Sequence, residues 1–449
     1  MVSPEGYSKQ LQILLKQMHA KIGDRVAVAG CEGRLMPRVN GDRDALVLKL
    51  DNGYNIGVKP GRLKLMGRNL KAVDKPLKAV ATADRNKPTI AILHTGGTIA
   101  SRLDYRTGAV EPVITDSELI SMYPELTEIA NIRSRVVFQA FSEDLEPVHW
   151  SMLAKNVHDE IKKGCDGVVI THGTDTMYYT ASALSFALQN LDKPVILVAS
   201  QRSSDRPSSD AGVNLTSAAY FIAESDYAGV GICMHKTPSD DKCWILEANK
   251  ARKMHTSRRD TYRPVNSVPL AEVDWKAGSI RFLKSGYPKK SGKLQLKEKF
   301  SDKVGLVKVY PGFAPELLDV FARKYKGLVI EGYAFGQMPV NSFDKNTLHH
   351  AKMLEKLGKM SKRMPVVVAS QLPYGVVNMN VYSTSRDLVK AGVIPAYMQA
   401  YAAYVKLSWL LGNRKKLDDI RKTINEDVAG EIVTRQEIGE FPDEDLEKM

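Results

Sequence analysis

From Lys21 to Met66 the apolar residues come in short strand-like runs, RVAVAG, ALVLKL and NIGVKP, punctuated by glycine and by Asn-Gly pairs. Several short strands within about 50 residues predict a small antiparallel barrel or sandwich. Before them, Leu11, Ile13, Leu14 and Leu15 fall among polar positions in residues 3–20 and predict one short amphipathic helix. The stretch 69–88 is charged, proline-punctuated and weakly periodic, as a linker is. After Pro88 the texture becomes strand, turn, helix, repeated. TIAILH, SRVVFQAF, DGVVITH, PVILVAS, GVGICMH and CWILEA are apolar and β-branched, and helical stretches are expected at 147–163, 175–190 and 210–224. Such alternation predicts a mainly parallel sheet covered by helices on both faces. A second charged stretch, 285–303, precedes VGLVKVY, GLVIEGY and PVVVAS, which alternate with helices expected near 314–324, 346–358 and 395–411.

The predicted fold class is therefore α/β, with a larger and then a smaller α/β domain preceded by a small β-rich, barrel-like one. The expected boundaries are 1–75 for the barrel, 76–88 for a linker, 89–284 for the larger domain, 285–303 for a second linker, and 304–449 for the smaller domain with its acidic tail.

Composition narrows the class. The chain has 449 residues, 43% hydrophobic and 26% charged, an ordinary globular balance with length for several domains. No apolar run approaches the roughly 20 residues of a membrane span. The opening MVSPEGYSKQ has no basic segment followed by an apolar one, so no secretory signal is expected. The four cysteines lack metal-clip spacing and require no disulfide. A cytoplasmic multidomain protein is the expectation. The charge is uneven: residues 1–87 hold 17 Lys and Arg against 8 Asp and Glu, which is +9 of the chain's +13. That asymmetry fits a polyanion or an acidic partner, and it equally fits a solvated surface.

Ligands of such sheets sit beyond the carboxyl ends of the strands. Two polar motifs fall there: Thr95-Gly96-Gly97-Thr98 after TIAILH, and His172-Gly173-Thr174-Asp175-Thr176 after DGVVIT. Paired glycines let a backbone approach a ligand, and a helix start offers N–H donors. Thr174 and Asp175 would also serve as a helix N-cap, a purely structural reading. No lysine follows the glycines of TGGT as a phosphate loop requires. A hydroxyl nucleophile needs a base and a site for the oxyanion. Thr98 is a candidate nucleophile, Thr174 lies near helix N–H groups, and a lysine of lowered pKa is a candidate base, but the residues alone do not select which lysine.

TIAILHTGGTIAS and GVVITHGTDTMYYTA resemble the two signature segments of the bacterial-type L-asparaginase family. PVILVASQRSSDRPSSDAGVNL and ARKMHTSRRD resemble two further family segments, and the resemblance covers residues 88–412. It implies two asparaginase-type α/β domains and a site carried over residue by residue. The family's hydroxyl nucleophile falls on Thr98, the second catalytic threonine on Thr174, its aspartate on Asp175 and the lysine on Lys253. The lid tyrosine falls on Tyr105, and the residues that hold the substrate's amino-acid head on Ser142 and Glu143, where many members carry glutamine instead of Glu143. For Lys253 the structural alternative is a solvated lysine on a helix surface; for Tyr105, a loop aromatic that packs locally. No metal is implied. The family's partner-subunit contact loop would lie at GYAFGQMP (332–339), with Gln337 in place of the more usual asparagine pattern.

Plain asparaginases start close to the TGGT strand, whereas about 85 residues precede it here. An asparaginase body with a basic, β-rich N-terminal module is similar to the D-subunit family of archaeal glutamyl-tRNA(Gln) amidotransferases. That resemblance implies a glutaminase-type subunit, with a threonine nucleophile acting through an acyl-enzyme. It would release ammonia from L-glutamine or L-asparagine for a partner that converts Glu-tRNA(Gln) to Gln-tRNA(Gln). It implies a homodimer flanked by two copies of the tRNA-binding partner, a heterotetramer. ATP and Mg2+ would be used by the partner, with no cofactor in this chain. The alternatives are a free-standing cytoplasmic L-asparaginase and a catalytically silent adaptor that binds RNA through residues 1–87.

Overall fold

The computed structural model describes residues 6–36, 43–49, 55–67, 84–97, 101–103, 110–112, 123–202, 209–289, 292–435 and 440–441. Helix α1, Lys9–Gln17, starts at Ser8, whose hydroxyl accepts the Leu11 N–H, and it buries Leu11 and Leu15. Five antiparallel strands follow: β1 Arg25–Val28, β2 Cys31–Leu35, β3 Leu46–Lys49, β4 Asn55–Val58 and β5 Lys64–Gly67, in the order β4-β3-β2-β1-β5. Their inward residues Val26, Val28, Leu35, Leu46 and Leu48 close on Tyr7, Leu11 and Leu15. The Tyr7 hydroxyl donates to Met36 O at 2.6 Å and accepts from Val47 N at 3.1 Å, which satisfies its one polar atom inside this core. Three of these strands match apolar runs in the sequence. β2 and β5 do not: β2 alternates with the exposed Glu32 and Arg34, and β5 is four residues long with Lys64 and Met66 exposed.

The larger α/β domain is built on eight strands in the order β18-β17-β14-β13-β12-β10-β6-β9. They are β6 Thr89–Gly96, β9 Asn131–Ala140, β10 Gly167–Thr171, β12 Val195–Val198, β13 Val230–His235, β14 Cys243–Glu247, β17 Ala271–Asp274 and β18 Ser279–Phe282. A short hairpin, β7 Ser101–Leu103 with β8 Val110–Pro112, follows β6. β9, β6, β10, β12 and β13 run parallel; β14, β17 and β18 extend the sheet antiparallel. The alternating pattern predicted the parallel half. Its antiparallel end follows from the tight return over residues 236–242, which leaves no room for a crossover helix.

Helices α2 Pro147–Lys162 and α3 Met177–Ala187 cover one face of this sheet, and α4 Ala211–Glu224 covers the other. β10 and β12 are buried at every position, so they read in sequence as unbroken apolar runs.

The 285–303 segment is strapped to the body. Its strand β19, Gln295–Leu296, pairs with β11, Leu188–Gln189, and Ser301 N–H donates to Ser408 O. The smaller domain has four parallel strands: β20 Val304–Lys308, β21 Gly327–Gly332, β22 Val366–Ser370 and β23 Ile394–Pro395. Residues 394–395 are thus a strand, and the expected helix over 395–411 is α5, Ala400–Gly412. Trp150 and Phe186 of the larger domain share one core with Val329, Val367 and Trp409 of the smaller. Among the described residues no helix is long and apolar enough to cross a membrane.

Candidate active site

Parallel pairing aligns the carboxyl ends of three neighbouring strands. The register His94↔Thr171 sets the end of β6 beside the end of β10, and Gly96↔Ala140 sets it beside the end of β9. The loops that follow meet in backbone contact. A Cβ on Gly97 would stand 2.7 Å from His172 C and from Gly173 N, and one on Gly173 would stand 2.7 Å from the Ser142 side chain. Gly97 also has φ +80°, a conformation that side chains other than glycine's disfavour. The loops carrying Gly97, Gly173 and Ser142 therefore converge. Thr98 and Tyr105 lie outside the described residues.

Thr174 and Asp175 do not cap the following helix. α3 starts at Met177 with Thr176 at the capping position, and the Thr176 hydroxyl donates to Ser142 O at 2.6 Å. That leaves the Thr174 and Asp175 side chains free for another partner, Lys253. Lys253 sits on β15, Ala251–Lys253, a short strand paired with β16, Tyr262–Pro264, and not on a helix surface. Its side chain is only 12% exposed. The Lys253 ammonium donates to Thr174 Oγ1 at 2.9 Å and to Asp175 Oδ1 at 3.0 Å. Thr174 is buried, whereas the Asp175 side chain is 64% exposed and faces the open side of the site. Ser142 is buried and Glu143 is exposed, in the 3-10 turn Ser142–Asp144.

Supporting residues that motif reading passed over hold these loops. His94 lies 2.8 Å from both Thr171 Oγ1 and Ser134 Oγ, and so ties together β6, β10 and β9. His172 lies 2.7 Å from Gly173 O and 2.9 Å from Thr180 Oγ1 on α3. Burial pushes each imidazole down to about 4, so both are neutral at pH 7. After β12, the buried Asp210 carboxylate accepts the backbone N–H groups of Gln201 and Arg202, and the Ser200 hydroxyl. In the 332–339 loop, the Gln337 side-chain carbonyl accepts Phe335 N–H at 2.9 Å and closes its own turn. All four cysteines are free thiols, three of them buried.

The arrangement can pass a proton between a hydroxyl, an ammonium and a carboxylate at the mouth of a sheet, as acyl transfer requires. The sequence matches three family descriptions: Asparaginase, N-terminal over residues 89–286; Glutaminase/Asparaginase C-terminal domain over 303–424; and GatD N-terminal domain over 20–65. It is 45% identical to the D subunit of the glutamyl-tRNA(Gln) amidotransferase of Pyrococcus furiosus, over 94% of this chain and 97% of that protein. It is 41% identical to the corresponding D subunit of Thermofilum pendens, over 98% and 99%. Among solved structures, the thermostable L-asparaginase from Thermococcus kodakarensis superposes with a TM-score of 0.68 at 30% identity, covering 77% of this chain and all of that one. L-asparaginase I from Vibrio cholerae gives 0.66 at 28% identity, covering 77% and 99%.

Proposed function

Because the chain belongs to the family of glutamyl-tRNA(Gln) amidotransferase D subunits, we propose that it is the component that frees ammonia from L-glutamine, or from L-asparagine. The contact of the Lys253 ammonium with both Thr174 Oγ1 and Asp175 Oδ1 carries this reading. Thr98 attacks the side-chain carboxamide carbon, the C–N bond breaks, and nitrogen leaves as ammonia with the proton taken from the hydroxyl. Water then cleaves the ester and restores Thr98. Thr174 and Lys253 move the proton, first from the attacking hydroxyl and later from the water. Asp175 and Ser142 hold the amino-acid head, with Glu143 at the rim and Tyr105 in the role of the family's lid tyrosine. No metal takes part.

Ammonia then serves a tRNA-binding partner, which activates Glu-tRNA(Gln) with ATP and Mg2+ and forms Gln-tRNA(Gln). Free ammonia is mostly protonated at neutral pH, so a neutral nucleophile gains from a water-poor path between the two proteins. The assembly is a cytoplasmic heterotetramer around a dimer of this chain.

The test is ammonia release from each amino acid by the chain alone, with its partner, and with Glu-tRNA(Gln) and ATP added. Stimulation by the additions, abolished by Thr98→Ala, is the expected result. A full rate from the chain alone, indifferent to the additions, makes it a free-standing L-asparaginase.

A further inference from the structure

Thr174 is gripped from two sides by one hairpin. In the β15–β16 ladder Lys253 stands directly opposite Tyr262, and opposed residues of an antiparallel pair project to the same face. Lys253 takes the Thr174 hydroxyl at 2.9 Å; the Tyr262 hydroxyl donates to the Thr174 backbone carbonyl at 2.6 Å. Tyr262 is fully buried. Burial holds its phenol well above the usual tyrosine range, although the backbone N–H of Tyr178, in the first turn of α3, faces it and opposes that shift. The phenol is thus a permanent donor, fixed between the HGTD loop and the start of the helix behind it.

The hairpin is itself anchored. Arg259 binds Asp240 and Pro238 O, Arg263 donates to Lys236 O at 2.8 Å, and the buried Asp260 accepts from both Arg258 and Arg263. The bonds to Lys236, Pro238 and Asp240 fix β15–β16 to the turn between β13 and β14, and those of Asp260 brace the hairpin's own loop.

We infer that Tyr262 is a positioning residue for the Thr174–Lys253 pair: by holding the Thr174 carbonyl it sets where the Thr174 hydroxyl meets the ammonium. The inference rests on the amide-hydrolysing reading above. A carbonyl released from the phenol lets the loop rotate about Thr174, and proton transfer is sensitive to misplacement of about 1 Å. Ser142, which with Asp175 is proposed to hold the substrate, is tied through its carbonyl to Thr176 and not to Tyr262, so the loss falls more on turnover than on affinity.

Tyr262→Phe removes only the donor and keeps the ring and its packing, so the variant folds. Tyr227→Phe is the matched control: Tyr227 is also buried, and its hydroxyl donates at 2.9 Å to a backbone carbonyl outside the site, that of Val230. Ammonia release is measured for the full chain with its tRNA-binding partner, with melting temperatures alongside. For Tyr262→Phe, kcat is expected to fall roughly 10- to 100-fold with KM within about twofold. Tyr227→Phe keeps the wild-type kcat. If Tyr262→Phe turns over like wild type while Lys253→Ala is inactive, the inference on Tyr262 is overturned and the site reading stands. Equal kcat losses in both phenylalanine variants also overturn it, since the effect would then be general to a lost buried bond. If Lys253→Ala and Thr174→Val release ammonia at the wild-type rate, the site reading itself falls.

Discussion

The Lys253 ammonium stands 2.9 Å from Thr174 Oγ1 although 79 positions separate the two residues, and it reaches Asp175 at 3.0 Å from the same place. The lysine stem is mostly enclosed while the carboxylate is open to solvent, so one end of this relay is held and the other is accessible.

Lys253→Ala is expected to lower kcat for ammonia release by about 10²- to 10⁴-fold, the usual yield of a positioned proton-transfer group, with a small effect on KM. Lys253→Arg should not restore it, because a planar, permanently charged guanidinium cannot exchange the proton. Steady-state kinetics of the two variants decide this; an arginine variant near wild type would remove the lysine from proton transfer.

Thr174→Ser keeps the hydroxyl and should stay within about tenfold of wild type, whereas Thr174→Val, of the same shape without the hydroxyl, should lose activity to the degree of Lys253→Ala. Equal rates for the serine and valine variants would show that the hydroxyl has no chemical role.

Gly173→Ala and Gly97→Ala probe the meeting of the loops. The new Cβ would lie 2.7 Å from the Ser142 side chain in the first case and 2.7 Å from the His172 backbone in the second, with positive φ at Gly97 as a further penalty. Each should destabilise by about 1–3 kcal/mol, Gly97→Ala more, since backbone yields less than a side chain. Denaturant midpoints measure the stability, and activity should fall in both.

Stability should decline on acidification through the window set by His94 and His172. Both are held neutral to about 4 by burial, against about 6.5 in the unfolded chain. Between those values the unfolded state binds more protons. Their contribution is therefore complete above pH 6.5 and is lost as pH falls towards 4, on the order of 3 kcal/mol per ring. Melting temperatures from pH 7 to pH 4 read this directly, and His172→Gln should flatten the slope.

Lys406 and Glu431 form an ion pair with no exposed surface, and Glu431 also accepts the Val428 and Ala429 N–H groups. Lys406→Met leaves that carboxylate buried and unpaired, at a cost of about 3–5 kcal/mol; the double variant Lys406→Met/Glu431→Gln should recover part of it. Thermal unfolding of both variants checks the order.

The readable part of this chain was whatever burial imprints locally. β10 and β12, enclosed on both faces, stand out as apolar runs, and α2 and α4 begin and end close to where their periodicity placed them. β5, β15 and β16 escaped notice because they are too short and too exposed for apolar continuity to mark them. Tyr262 carried no signal, since nothing in a sequence tells where a phenol hydroxyl points.

By itself the sequence determined the alternating α/β order, the basic β-rich module ahead of it and the two glycine-containing motifs TGGT and HGTDT at strand ends, while Lys253 was singled out only by the family resemblance. It did so because strand burial and loop glycines are requirements of neighbouring residues. The tertiary structure decided that Lys253 and Tyr262 close on Thr174 from one hairpin, that Asp175 opens to solvent while Ser142 does not, and that the two α/β domains share a core around Trp150, Phe186 and Trp409. Those relations depend on sheet register and on packing between segments far apart in the chain, which no local pattern encodes.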